Sequence, residues 1–286
     1  MLTAAAQDQE PAVRLDPVIV TVTRTEQRAG DAPADVTVLT RQDIDRSPSQ
    51  TLDDLLRQVP GFSLFRRTSS VVGHPTTQGV SLRGIGPSGT SRALVLLDGV
   101  PINDPFGGWV YWDRIPLQGV EQVEVVRGGG SSAWGNYALG GVINIITKKP
   151  VERAALFDGS YGNHNTLNVD GIVSEVRGPF RLGLEGNYFS TDGYPIVKKS
   201  DRGSIDINAT SQHSTFNGRL DLVLSPDLSF YLRGNHYDED RGNGTPLQNN
   251  DTEAGSFATG GRLRTGDGSD WSFSLYGDFQ KFSSTF

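Results

Sequence analysis

Hydrophobic positions along the chain change period once. Up to about residue 150 apolar residues fall in short runs broken by glycine loops. Beyond Pro150 they alternate with polar ones to the end. In "HSTFNGRLDLVL" the set Phe216, Gly218, Leu220, Leu222, Leu224 alternates with Thr215, Asn217, Arg219, Asp221. "FRLGLEGNY" sets Phe180, Leu182, Leu184 against Arg181, Glu185, Asn187. "WSFSLYGDFQ" sets Trp271, Phe273, Leu275, Phe279 against Ser272, Ser274, Asp278, Gln280. Side chains on a strand point alternately to its two faces. Segments of about ten residues with charges in the second set are therefore expected of strands with lipid on one face and water on the other. A soluble sandwich shares the alternation but does not favour that length and charge. Seven strands are predicted, near 152–161, 165–176, 180–190, 212–224, 228–238, 254–264 and 271–282.

Connection lengths support the same reading. "RGP", "SPD" and "GDGSD" are tight, whereas "STDGYPIVKKSDRGSIDINAT" and "DEDRGNGTPLQNNDTEA" are long and polar. Membrane barrels keep short turns at the periplasmic end and long loops outside. Only "GNHN" breaks the rule.

Residues 34–150 read as a compact α/β domain. Strands are predicted at "DVTVLT", "FSLF", "VSL", "ALVLL", "VEQVEVV" and "GVINIIT". Ser47-Pro48-Ser49-Gln50 reads as a capping box with proline at the first helical position. Leu52, Leu55, Leu56 and Val59 follow at helical spacing, and Pro60-Gly61 stops the helix. Residues 1–33 read as a flexible leader. Within it Ala4-Ala5-Ala6 fits either the end of a signal peptide or an ordinary chain start. "DPVIVTVTR" is extended by its β-branched run. It suits a strand added to another protein's sheet edge, or an edge strand of the next domain.

"RGIGPSG" contains Gly84-x-Gly86-x-x-Gly89, the spacing of a dinucleotide fingerprint. That motif needs a helix opening at the third glycine to hold the pyrophosphate. Here Pro87 interrupts it and the chain runs into the strand "ALVLL", so a nucleotide site is not expected. The net charge of −7 leaves no basic footprint for nucleic acid. Without cysteine there are no disulfides or thiolate metal sites, and four histidines are too few and scattered for an iron or zinc site. The acidic clusters at Asp238-Glu239-Asp240 and Asp201 read as solvated loop rather than calcium ligands. No Ser/His/Asp motif, HExxH or P-loop is present, so neither an enzyme nor a cofactor is expected.

"VIVTVTR", "LLRQVPGF", "VSLRG", "LVLLDGVPIND" and "VEQVEVVRGGGSSAWGNYALGGVINIITKKP" together resemble the plug domain of TonB-dependent outer-membrane receptors. The resemblance implies an α/β plug inside a transmembrane β-barrel of about 22 strands, here incomplete. Seven strands cannot close such a barrel, and parity puts Phe286 at the wrong end for a terminal aromatic, so the sequence reads as a piece of a longer chain. The family implies active uptake of an iron–siderophore complex, with a cobalamin receptor or a porin-like channel as alternatives. It further implies a monomer in outer-membrane lipid, the plug facing the periplasm, energised through TonB and the inner-membrane ExbB/ExbD complex.

Carried over by residue, the TonB box is Asp16, Pro17, Val18, Ile19, Val20, Thr21, Val22 and Thr23. Arg83 and Arg127 match the paired plug arginines that in this family typically meet barrel glutamates; lumen-facing Glu185 is one candidate partner, with glutamates beyond residue 286 the alternative. Gly129 and Gly130 stand where the family often has proline. The loop with Gly84, Gly86 and Gly89 is expected at the plug apex. Beside it Arg66, Arg67 and His74 would answer a ligand's negative charge. Phe106, Trp109, Tyr111 and Trp112 would give a rigid aromatic ligand surface, unless they pack within the plug.

Overall fold

A computed structural model describes residues 18–19, 27–66, 68–85 and 91–285. In the leader, β1 (Val18–Ile19) pairs antiparallel with β2 (Gln27–Arg28). The plug follows as β3 (Asp35–Thr40), α1 (Arg41–Arg46), α2 (Leu52–Leu56), β4 (Phe62–Leu64), β5 (Val80–Leu82), β6 (Ala93–Leu97), β7 (Val100–Pro101), β8 (Val120–Arg127), α3 (Ser131–Trp134) and β9 (Gly141–Thr147). Its main sheet has the order β3-β8-β9-β6-β7, with β6 and β9 parallel and the other neighbours antiparallel. β4 and β5 form a separate hairpin sheet.

β6 is apolar at every position because both its faces are covered. Ala93 and Val95 join the main core with Leu52, Leu55, Leu56, Val123, Ile143 and Trp112. Leu94 and Leu96 face a second cluster with Val126, Ala138 and Val142. The strand closes on Asp98-Gly99, both at positive φ, as a two-residue hairpin turn requires.

Helix starts differ from expectation. Thr40 and Asp43 form the capping box, at the head of α1, a helix the hydrophobic pattern did not reveal. Ser47 spends its hydroxyl on Ser49, so "SPSQ" is a turn and α2 begins after Thr51. Gly61, at φ 81°, turns the chain out of that helix. Arg83 and Gly84 also take positive φ, in a tight turn between Leu82 and Ile85. Gly86 and Gly89 lie outside the described residues. The chain is described again from Ser91 and is strand from Ala93, so among the described residues no helix follows the glycines, against the nucleotide reading.

The second half is one antiparallel sheet in sequence order: β10 (Ala154–Gly162), β11 (Thr166–Arg177), β12 (Phe180–Tyr194), β13 (Ala209–Ser225), β14 (Leu228–Asn243), β15 (Asn249–Arg264) and β16 (Asp270–Ser284). Among the described residues β10 and β16 have no second neighbour, so the sheet is an open wall. The alternation is obeyed. Phe180, Leu182, Leu220, Leu224, Phe230, Leu232, Phe257, Phe273 and Leu275 lie exposed on the outer face. Asn187, Thr215, Asp221 and Glu239 are buried toward the plug. Glycines on the outer face receive rings from the neighbouring strand. A Cβ at Gly255 would collide with Phe279, and one at Gly277 with Phe257.

β12 to β16 run longer than the hydrophobic pattern predicts, chiefly at the end away from the tight turns, whereas β10 and β11 keep about the predicted length. The loop 195–208 is long, but the expected long loop after β14 shrinks to 244–248 because Arg241 pairs with Asn250 and Gly242 with Asn249. On β14 the outward set runs Phe230, Leu232, Gly234, then His236, Asp238, Asp240. Past the hydrocarbon band both faces are polar, so strand continues where the period-two signal has vanished.

The plug–wall seam and the candidate ligand face

The plug lies on the inner face of the wall, and its shortest polar ties are to β14 and β16. Period two aligns Arg233, Asn235, Tyr237, Glu239 and Arg241 along one side of β14. Each meets the plug or supports a residue that does. Arg233 Nη1 is 2.7 Å from Asp98 Oδ2, and Arg219 Nη1 from β13 is 3.6 Å from the same oxygen. Asp98 is fixed there by accepting from the Thr147 backbone N–H and hydroxyl at 2.9 and 2.6 Å. Arg114 donates through Nε to Asn235 and lies 3.9 Å from Asp278. Burial holds the Arg114 guanidinium below its ordinary value, against Asp278.

Arg241 has a fully buried side chain. Its Nη2 donates to Asp113 Oδ2 at 2.8 Å and to Glu239, and its Nη1 to the Gly73 carbonyl at 2.8 Å and the Ser70 carbonyl. Tyr237 packs on Tyr111, ring centroids 6.4 Å apart. On β16, Gln280 donates to Asp104 Oδ2 at 2.7 Å and to the Tyr111 hydroxyl at 3.0 Å. Burial pushes the Tyr111 phenol up to about 12. These contacts were not foreseen. Arg219 stood in the predicted inward set, but Arg241 fell in a predicted loop, where alternation carries no information.

Among the described residues neither Arg83 nor Arg127 pairs with Glu185. Arg83 Nη2 and Arg127 Nε both donate to Asp35 Oδ2 at 2.9 Å, and Arg127 Nη1 also to the Pro60 carbonyl. Those hydrogen bonds hold the Asp35 carboxyl below its usual value. Glu185 does face the plug, but it accepts from Asn217 Nδ2 at 2.8 Å and lies over Gly119, where a Cβ would overlap its carboxylate. Within this chain the two plug arginines share a plug aspartate.

The candidate ligand face sorts into parts. Asp104 Oδ1 accepts from the backbone N–H of Phe106 and Gly107 at 2.9 and 2.6 Å. Gly107 sits so close to the Trp109 indole that a Cβ would overlap it. This tight loop presents Phe106, 96% exposed. Trp109 is half-buried and tilts onto Phe282 at 6.4 Å, with His74 edge-on to the same ring at 6.5 Å. Burial and the nearby Arg241 charge lower the His74 imidazole.

Three expected ligand residues are engaged elsewhere. Trp112 is in the core, its Nε1 donating to the Gln78 carbonyl at 3.3 Å and its ring against Phe62. Tyr111 is buried in the seam. Arg66 is a core cation, its Nη2 2.7 Å from Asp53 Oδ2. Aromatics in a small domain serve packing first, and a buried aspartate claims the nearest arginine. Arg67, Gly86 and box residues Asp16, Pro17, Val20, Thr21, Val22 and Thr23 lie outside the described residues; of the box, Val18 and Ile19 form β1.

A plug seated on a membrane-type wall has counterparts among known proteins. The family model of the TonB-dependent receptor plug domain matches residues 28–142. The alcaligin outer-membrane receptor FauA from Bordetella pertussis superposes with a TM-score of 0.72 at 21% identity, over 93% of this chain and 42% of that one. The siderophore receptor PirA from Pseudomonas aeruginosa gives 0.65 at 22%, over 89% and 42%. A mutant of the ferric enterobactin receptor PfeA from Pseudomonas aeruginosa, in complex with enterobactin, gives 0.63 at 20%, over 87% and 41%. Residues 28–142 thus match the plug-domain family of TonB-dependent receptors, and the chain shares with these structures the fold of a plug followed by part of a β-barrel. The chain spans about two-fifths of the length of these structures.

Proposed function

We propose that the chain is part of a TonB-dependent transporter of the bacterial outer membrane that takes up an iron–siderophore complex. The carrying observation is the plug itself, a folded domain ion-paired to the inner face of the wall. A passive pore has no use for such a domain. Siderophore is preferred to cobalamin because, of the structures this fold resembles, PirA is named a siderophore receptor and the others are named for alcaligin and ferric enterobactin. The ligand is received at the plug apex by Phe106, Trp109 and His74, with Arg67 and Gly86 in adjoining segments. TonB adds a strand to the box at Asp16–Thr23, pairing through the backbone, and the ExbB/ExbD complex supplies the energy. The receptor acts as a monomer, its plug facing the periplasm, and carries out no catalysis.

The test is growth of a strain lacking the full-length gene on single ferric siderophores, complemented by wild type or Val20→Pro. Wild type restores growth on at least one siderophore; Val20→Pro binds that siderophore but does not restore growth. Unimpaired uptake by a receptor lacking residues 16–23 refutes the proposal.

A further inference from the structure

Asp113 of the plug and His213 and Glu239 of the wall are distant along the chain and meet in the seam. One side-chain nitrogen or oxygen from each lies within 4.8 Å of the others. All three are buried, Asp113 and His213 each 7% exposed and Glu239 2%. Among the described residues, His213 Nδ1 and Asp113 Oδ1 have no hydrogen-bond partner. Two metal-binding atoms are thus shut away from water with nothing to bind, which is unfavourable as it stands.

Charge is unbalanced in the same place. Asp170, buried on β11, acts on the His213 ring together with Asp113 and Glu239. These three carboxylates face one guanidinium, that of Arg241, while Asp53 on the plug side is neutralised by Arg66. Two negative charges are left over, and buried charge without a counter-charge is costly.

A divalent cation answers both features. Imidazole nitrogen with carboxylate oxygen is a donor set that zinc and its first-row neighbours accept, whereas calcium and magnesium take oxygen alone. Zinc bonds of about 2.0–2.2 Å bring tetrahedral ligands to roughly 3.4 Å of one another. Side-chain rotation closes atoms already within 4.8 Å to that spacing, with water at the fourth position. The supports for such ligands are present. Arg241 Nη2 donates to Asp113 Oδ2 at 2.8 Å and to Glu239, orienting both carboxylates while leaving Asp113 Oδ1 free. The imidazole is held by a stacked Phe189, centroids 4.9 Å apart and planes 16° from parallel, and by Tyr237 at 6.0 Å. Outer contacts of this kind fix the direction of metal ligands.

We propose that Asp113, His213 and Glu239 bind one zinc-type divalent cation that clips the plug to the wall. Its ligands come from both sides of the seam, so the ion binds the seated plug and not the displaced one, and stabilises seating by mass action. The clip rests on the plug being nested in the wall and is independent of which ligand the receptor carries.

The test uses the full-length receptor in detergent, stripped with a chelator and titrated with zinc chloride. Calorimetry is expected to show one equivalent bound, and His213→Gln to weaken that binding by at least about tenfold. Hydrogen exchange of the peptide covering 108–116 is followed in parallel. Zinc at about 100 times its dissociation constant is expected to slow wild-type exchange roughly a hundredfold, and magnesium to leave it unchanged. Should His213→Gln fail to fold, the wild type decides: cobalt(II) is expected to erase the His213 nitrogen-15 resonance, and excess zinc to restore it. No zinc binding, undiminished affinity in His213→Gln, unchanged exchange over 108–116, or a His213 resonance indifferent to cobalt would each overturn the inference. None of these readouts involves uptake, so their failure leaves the transport reading standing.

Discussion

Replacing Arg241 by methionine keeps a long unbranched side chain in the seam and deletes only the charge and the donors. Asp113 and Glu239 then lose the cation between them, and the Ser70 and Gly73 carbonyls lose theirs. Removing one partner of a buried ion pair costs about 3–5 kcal/mol, because the remaining charge stays buried. At 1.4 kcal/mol per factor of ten, that raises the undocked plug population by roughly two to four orders of magnitude. Arg83→Met is the internal control. Its pair with Asp35 has both side chains 48% exposed, and such pairs contribute about 0–1 kcal/mol. Hydrogen exchange and limited proteolysis of the plug in the purified full-length receptor measure both. A double-mutant cycle with Asp113→Leu isolates the pair. Arg241→Met within tenfold of wild type, or no gentler an effect from Arg83→Met, refutes this assignment of the seam.

Phe106→Ala is expected to weaken siderophore binding by about 1–2 kcal/mol without changing plug stability, since the ring is exposed. Trp112→Ala should instead destabilise the plug by about 3–5 kcal/mol, read by thermal unfolding, because its ring is wholly buried. Asp35 has its carboxyl held low by Arg127 and Arg83, so its contribution is present above the ordinary value of 3.8 and fades as pH falls below it. The stability difference between wild type and Asp35→Asn should stay constant from pH 7 to 5 and close only in stronger acid. Gly255→Val should lower the thermal midpoint of the receptor, as the space for a side chain is filled by the Phe279 ring.

How much of this was readable in the sequence depended on which force wrote the signal. Lipid on one face and plug on the other imposed alternation on 180–190, and those strands were found with their faces correct. The run Ala93–Leu97 is buried on both faces and was likewise plain. Where strands rise past the hydrocarbon both faces become polar, so residues 239–243 and 249–253 looked like loop although both stretches are paired strand. The sequence did not show that Asp35, distant along the chain, reaches both the Arg83 and Arg127 guanidiniums. Trp112 and Phe106 are six residues apart in one aromatic stretch, and nothing in composition tells the buried ring from the presented one. Turn geometry does, through the Asp104 carboxylate and Gly107.

The most direct test of the nested plug is a cross-link between Asp104→Cys and Gln280→Cys, whose native side chains hydrogen-bond at 2.7 Å in a chain with no cysteine of its own. In native outer membranes a short thiol cross-linker should join this pair and leave Asp104→Cys with Leu275→Cys, on the outer face, unjoined. Failure of the first pair, or equal joining of the second, would contradict a plug held on the inner face of the wall.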